Sequence, residues 1–427
     1  MRPLRHATRT TFMSSSTTRA MKEGDAPGAF GVGMVGMGRR GNELADLVVR
    51  EGHTTGLEIR ALQSRTKSRA IEAQRRLITL YRDRGRDTEI TVHERLENLV
   101  SDPRVDLVIV ATPQYAHRKP ALAALRSGKR VCIDKPLAHT LEDAIAIHEA
   151  ARKEDGKMIM SFTRRFEPAW IEAFRLAHQR KGIGRIRMIL LRNVLPAHIY
   201  FHTWHRQRGL SGGALGDRMS HAFDVFDWFS ESRPSRLASF GGRTVFTSWP
   251  EAPDGCRSCH LDCAYRIAEA GSLAPDSASQ DDGCVWAPGA DINDHGLVSL
   301  EYENGIKASL FWSLFGPTAD DEETLELVGD RGRLRLERKS RAIDLITDFG
   351  ARHEVLDYST EAPSADHYGA DIQLVHELAA FCRGASPQPT EREGLAAARI
   401  VEAAHRSIAA GGKIIDMATI PGGSIEA

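Results

Sequence analysis

Val32-Gly33-Met34-Val35-Gly36-Met37-Gly38-Arg39-Arg40-Gly41 is the stretch on which the reading of this chain turns. The apolar run at 30–35 has the character of a buried strand, and the amphipathic stretch from residue 41 has that of a helix. Gly36, Gly38 and Gly41 thus form a Gly-x-Gly-x-x-Gly turn between strand and helix. In that setting the first glycine makes the tight turn, the second lets a pyrophosphate approach the backbone, and the third lets helix and strand pack closely. The expectation is a dinucleotide held by Gly36, Met37, Gly38, Arg39, Arg40 and Gly41, with its phosphates on the helix N-terminus.

The rhythm continues beyond the turn. Short apolar runs at 57–62, 105–111, 131–134 and 158–162 alternate with helical periodicity at 41–50, 68–81, 116–127 and 141–153. That alternation is the pattern of a parallel sheet wrapped by crossover helices, so residues 29–162 read as a Rossmann domain. An NAD-binding strand usually ends in an acid that accepts hydrogen bonds from the ribose 2′-hydroxyl. Here it ends Gln63-Ser64-Arg65, followed by Lys67 and Arg69. Ser64 and Arg65 suit a 2′-phosphate, because a guanidinium offers paired charge-assisted bonds, and NADP is favoured over NAD.

From residue 163 to 420 the pattern changes. After a helical stretch at 166–179 come longer β-rich segments at 186–195, 237–247, 297–302, 306–315, 325–328, 332–336 and 343–347, with turn signals such as Glu303-Asn304-Gly305 between several. A C-terminal α+β domain on a large, mostly antiparallel open sheet is expected, with helices at 367–383 and 392–410 closing the chain. A Pro/Gly/Asp/Ser-rich insertion at 248–291 interrupts that sheet. Residues 1–28 are basic and rich in Ser and Thr; they read as a disordered tail in preference to a transit peptide, for want of an apolar core or cleavage-like site.

Composition narrows the partners. The 427 residues carry 57 Lys plus Arg against 57 Asp plus Glu, with 41% hydrophobic residues. Zero net charge lacks the electrostatic footprint of a phosphate-binding surface, so nucleic acid is not expected. No apolar run approaches the ~20 residues of a membrane span, and a cytoplasmic protein is expected.

Four ordered motifs carry a family resemblance: Ala111-Thr112-Pro113, then His117, then Asp134-Lys135-Pro136, then Gly212-Gly213-Ala214-Leu215-Gly216-Asp217-Arg218-Met219-Ser220-His221. Over about 29–420 the sequence resembles the Gfo/Idh/MocA oxidoreductases, the family of glucose-fructose oxidoreductase and inositol dehydrogenase. The resemblance implies that Thr112, Pro113, His117, Asp134 and Lys135 contact the cofactor, and that Lys135 also hydrogen-bonds the reacting oxygen. Asp134 stands where the family usually has Glu, which shortens the reach of that carboxylate. The resemblance further implies that His221 takes the substrate hydroxyl proton while Asp217 holds or polarises it. Their i to i+4 spacing would place both on one helix face, and the ordinary pKa of His suits that task.

Arg165, Trp204 and Arg206, with His221, are the expected substrate contacts; His198, Tyr200, His202 and His205 lie in the same stretch. The implied activity is hydride transfer between NAD(P) and a secondary alcohol of a polyol, inositol, sugar or sugar derivative. Alternatives are an NAD-dependent glycosidase using transient oxidation and a non-catalytic dinucleotide sensor. A homodimer or homotetramer through the C-terminal sheet is implied as well.

Four of the six cysteines crowd into the insertion as Cys256, Cys259, Cys263 and Cys284. Four thiolates can order a coreless loop around structural zinc, the favoured reading, or around an iron–sulfur cluster. His260 or His295 could replace one thiol, and free thiols or disulfides are the remaining readings.

Overall fold

The structure is a computed structural model that describes residues 29–154, 157–179, 182–196, 200–257, 259–266, 282–316, 322–359 and 365–422. The expected tail 1–28, His198 and the middle of the insertion lie outside the described residues.

The first half runs β1 (Phe30–Val35), α1 (Arg39–Thr55), β2 (Leu57–Gln63), α2 (Lys67–Arg82), β3 (Thr91–Val92), α3 (Leu96–Val100), β4 (Leu107–Val110), α4 (Arg118–Arg126), β5 (Arg130–Ile133), α5 (Leu141–Lys153) and β6 (Met158–Met160). The strands form one parallel sheet in the order β3-β2-β1-β4-β5-β6, a Rossmann arrangement. β1 lies between β2 and β4, where the strand order reverses, so the glycine turn opens at the crevice used by ligands of such sheets. β4 is buried at every position, as a strand covered on both faces should be. β3 and α3 are additions to the sequence reading, too short to show a period.

The second half runs α6 (Pro168–Ala177), β7 (Ile186–Val194), α7 (Arg208–Ser211), α8 (Gly213–Asp217), α9 (Ser220–Ser230), β8 (Pro234–Gly242), β9 (His295–Tyr302), β10 (Lys307–Ser313), β11 (Glu322–Gly329), β12 (Arg333–Glu337), β13 (Ala342–Thr347), β14 (Arg352–Asp357), α10 (Ala365–Tyr368), α11 (Ala370–Cys382), α12 (Glu391–Ala409) and β15 (Ile415–Asp416). Its nine strands are ordered β14-β13-β12-β11-β7-β10-β9-β8-β15. All neighbours are antiparallel except β7 and β10, so the sheet is mixed and mostly antiparallel. β14 escaped the sequence reading because it is almost wholly exposed and has no buried alternation. The expected helix at 367–383 divides at Gly369, whose positive φ of 85° stops α10 before α11 begins.

α11 returns to the first domain and α12 packs between the two halves. Thr390 starts α12 with a capping box, its side chain and that of Glu393 each accepting a backbone N–H of the other's residue.

Where the Rossmann sheet hands over to the second sheet, five charged side chains are buried together. Arg164 donates to Glu323 through Nε at 3.0 Å and to Glu167 through Nη1 at 3.0 Å. Arg338 donates to Glu167 at 2.8 Å, and Arg218 lies 3.4 Å from Glu323. Burial alone would raise the Glu323 pKa, but Arg164 and Arg338 outweigh it and hold it at about 2, below its ordinary 4.5. A carboxylate depressed in the folded state stabilises above its unfolded pKa and loses that contribution as pH falls. Glu323→Gln should therefore cost about 3–5 kcal/mol at pH 7 by stranding buried cations. In urea melts the gap to the unsubstituted protein should close as pH drops from 4.5 towards 2; a gap of equal size at both ends would contradict the ion-pair account.

Candidate active site

The glycine turn is built for close approach. Gly36 has φ of 97°, and a Cβ there would lie 2.6 Å from the Ala111 carbonyl oxygen. A Cβ on Gly41 would stand 1.9 Å from the Gly36 oxygen, so this position admits only glycine. Around Gly38, by contrast, no atom lies within 4 Å of the place a Cβ would take. That open ground at the N-terminus of α1 fits a dinucleotide pyrophosphate. Near the end of β4, Thr112 Oγ1 and Gln114 Oε1 are buried without a hydrogen-bond partner, two polar atoms that a ligand in the crevice could satisfy.

Several expected cofactor contacts turn out to hold the loops instead. Arg40 donates to both Asp371 oxygens at 2.7 and 2.8 Å and to Asp134 at 3.4 Å, pinning α1 to α11 and to the end of β5. Asp134 also accepts from the Ser161 hydroxyl. The His117 ring spans from the Thr112 carbonyl to the Pro136 carbonyl, each at 2.9 Å, and so joins the two loops. Met37 is packed in the core beneath the turn, leaving only its backbone for a ligand, and Arg39 lies outside against Glu43 at 3.5 Å. Pro113 caps the short turn that carries Gln114 and Tyr115.

Lys135 and Asp217 meet across the two domains. Lys135 Nζ donates to the Asp217 carbonyl at 2.8 Å and approaches its carboxylate at 3.4 Å. Gln114 Nε2 also donates to that carboxylate, and so does the Tyr200 hydroxyl. Burial pushes the Asp217 pKa up, but Lys135, His205 and Tyr200 outweigh it and hold it at about 2.

The expected hold of Asp217 on His221 is not what the structure shows. The helix breaks at Arg218 and Met219, between α8 and α9, so i to i+4 spacing does not put both on one continuous face. His221 instead lies edge-on to Phe162, 4% exposed, with Nδ1 buried and unbonded. Burial first, then the charges of Arg164, Lys135, Arg218 and Arg338, push its pKa well below the usual 6.5. His221 is therefore neutral at pH 7.

The remaining expected residues divide. Arg65 donates to the Tyr115 hydroxyl at 3.1 Å, and Tyr115 meets Trp204 edge to face at 6.2 Å, so Arg65 and Trp204 border the same cleft. Ser64 is half-buried at the end of β2. Arg165 differs from expectation: it pairs with buried Asp224 at 2.8 Å and lines a cavity of about 1270 Å³ whose wall includes none of Lys135, Asp217 and His221. Arg206 also differs, donating to the Cys284 carbonyl at 3.0 Å and so bracing the insertion. Gln114 and Tyr115 were invisible to sequence reasoning, because their partners lie far along the chain and no spacing records the meeting.

An isolated bridge joins Gly255 and Gly283, the residues that precede Cys256 and Cys284, and all four insertion cysteines line one cavity of about 400 Å³ beside His202. His202 spends its ring on the Gly283 and Tyr265 carbonyls at 2.7 and 2.9 Å. Among the described residues no group of three His, Cys, Asp or Glu side chains is placed to hold a metal ion. His295 is committed to Asp294 at 2.7 Å.

Fold and cleft together define a two-domain dinucleotide-binding protein with a buried lysine–carboxylate contact at the domain junction. The NAD-binding Rossmann model of the Gfo/Idh/MocA oxidoreductases matches residues 30–162 and the C-terminal α/β model of that family matches 179–415, and the chain belongs to this family. An uncharacterized oxidoreductase of Synechocystis sp. is 30% identical over 186 residues, which are 42% of this chain and 50% of that protein, so the alignment spans half of the relative's length. Inositol 2-dehydrogenase 1 of Saccharopolyspora erythraea is 24% identical over 323 residues, 75% of this chain and 79% of that one. A structure of levoglucosan dehydrogenase in complex with NADH and levoglucosan has the same fold, with a TM-score of 0.71 at 19% identity over 92% of this chain and all of that one.

The second and third glycines separate folding from binding. Gly38→Val should melt close to the unsubstituted protein yet lose NADH affinity by on the order of a hundredfold in a fluorescence titration, since its side chain fills only the ligand's space. Gly41→Val, placed on the Gly36 oxygen, should fail to fold; a well-folded Gly41→Val that binds NADH would overturn the assignment.

Proposed function

We propose that this protein is an NAD(P)-dependent dehydrogenase acting on a secondary alcohol of a cyclic polyol, sugar or sugar derivative. The observation that carries the reading is the position of Lys135. Its ammonium has three donors, two directed at Asp217, which leaves the third for a substrate oxygen beside the unbonded Nδ1 of His221. When bound, the nicotinamide supplies a hydride acceptor. Lys135 orients the alcohol oxygen and stabilises the charge that develops on it. Asp217 fixes the ammonium, and Gln114 and Tyr200 fix Asp217. His221, neutral at working pH, takes the hydroxyl proton. The surrounding cations disfavour its protonated form, so the proton is passed on quickly.

The names of the relatives support the substrate class: one is an inositol dehydrogenase and one was solved with levoglucosan. NADP is preferred over NAD because no acid ends β2 and, among the described residues, the exposed Arg65 guanidinium bonds only to a tyrosine hydroxyl. A second copy of the chain covers the open sheet face, where Phe240, Leu297 and Phe311 stand exposed side by side in register. None of the described cysteines is joined in a disulfide, which suits the cytoplasm. No helix among the described residues is long and apolar enough to cross a membrane. Structural zinc has the least support, because the four thiols share a cavity without converging; metal content of the purified protein, with and without Cys259→Ser, decides it.

The test is a panel of polyols and sugars followed by nicotinamide absorbance with NAD and NADP in parallel. Steady accumulation of reduced cofactor is expected, which a transient-oxidation glycosidase would not show. Lys135→Ala and His221→Ala should each lower kcat/KM by roughly 10²–10⁴ while NADPH still binds, and turnover unchanged in either would refute the mechanism. For the unsubstituted enzyme the acid limb of kcat/KM should fall below pH 6.5, the ordinary histidine value. Arg65→Ala should weaken NADP far more than NAD; equal losses would remove the 2′-phosphate assignment.

A further inference from the structure

Behind the loops that carry Lys135, Asp217 and His221 lies a separate cavity of about 330 Å³. Its wall is formed by Pro136 and His139 from the first domain, Arg208 and Gly212 from the α7 region, Ser220 at the start of α9, and His405 of α12. It shares no residue with the glycine turn.

Three features of this wall ask for an anion. Ser220 is 1% exposed, and its hydroxyl has no hydrogen-bond partner. His139 Nδ1 is buried and unbonded too; the nearest carboxylate, Asp143, is 3.7 Å away and already accepts from Arg118 at 2.8 Å. The Arg208 guanidinium makes no ion pair with any described residue, although its charge helps burial hold His405 at about 4. The cavity also meets the N-terminus of the 13-residue α5, an end that favours negative charge. Two acids face the same space, but both are occupied: Glu402 accepts from Arg406 at 2.7 Å, and Asp291 accepts the Arg208 backbone N–H at 2.6 Å. A buried serine hydroxyl and a buried imidazole nitrogen, with the Arg208 guanidinium at the exposed rim, are polar groups without a hydrogen-bond acceptor among the described residues, beside two carboxylates that are already engaged.

We infer that this cavity binds one small oxyanion, a carboxylate or a phosphate, through Arg208, Ser220 and His139. Occupancy braces three segments at once, because Pro136 follows Lys135, the Gly212 to Gly216 turn precedes Asp217, and Ser220 precedes His221. The ligand is thus an effector that sets the spacing of the Lys135 and Asp217 loops without entering the cleft. The binding claim is independent of which alcohol is oxidised.

Calorimetric titration of the full chain at constant ionic strength tests it, with inorganic phosphate in one arm and acetate in the other. NADH is kept saturating, so that the dinucleotide's own phosphates fill the glycine turn. One anion per chain is expected in at least one arm, and the arm that binds identifies the source. Arg208→Gln should weaken that binding by about tenfold or more, as expected for losing a charge-assisted contact, and should keep its NADH affinity as evidence of folding. Ser220→Ala should weaken it by a smaller factor. Absence of binding in both arms, binding found only in a control titration without NADH, or equal affinity in the unsubstituted protein and both variants would each overturn the inference.

Discussion

A single buried carboxylate, that of Asp217, is the constraint on which the cleft depends. It belongs to the second domain, yet it receives Lys135 and Gln114 from the first and Tyr200 from its own. A carboxylate taken out of water without such donors would be protonated or would open the structure. With them it stays charged and ties the two domains together at the cleft between them. The lysine is positioned by what it binds rather than by its own flexible stem.

The neighbourhood of His221 has a different physical origin. Three arginines and two glutamates are buried where the sheets join, an excess of positive charge that is matched only in part. That cluster stabilises the junction of the domains, and its excess charge adds to burial, the larger cause, in lowering the pKa of the nearby imidazole. Stability and proton affinity thus share one group of side chains. Asp217, assigned to the histidine by the family resemblance, contacts the lysine instead.

The insertion is held by polar anchors as well as by the packing of Phe246, Tyr265 and Trp286 on one another. Asp294, fully buried, accepts three successive backbone N–H groups from residues 244–246, the closest at 2.8 Å, and so fixes the exit from β8. Arg206 and His202 hold its other side through carbonyls of Cys284, Gly283 and Tyr265. The cysteine spacing pointed to a metal, but spacing along a chain reports only that thiols could meet. Whether they converge depends on side-chain direction, which spacing does not record.

Sequence alone determined the parallel sheet, the glycine turn and the order of the motifs. Those features rest on local periodicity and on the steric needs of Gly36 and Gly41, which residues within one turn or strand express. It also located Lys135, Asp217 and His221, though by family resemblance and not by any visible contact. Only the tertiary structure decided what each side chain does: Arg40, Arg165 and Arg206 became braces, His117 a tie between loops, and Gln114 and Tyr115 parts of the cleft. The reason is that a polar side chain goes to whichever buried partner best offsets its desolvation, and such partners as Asp371 for Arg40 or Asp217 for Gln114 lie 331 and 103 residues away in the chain and within 3 Å in the fold.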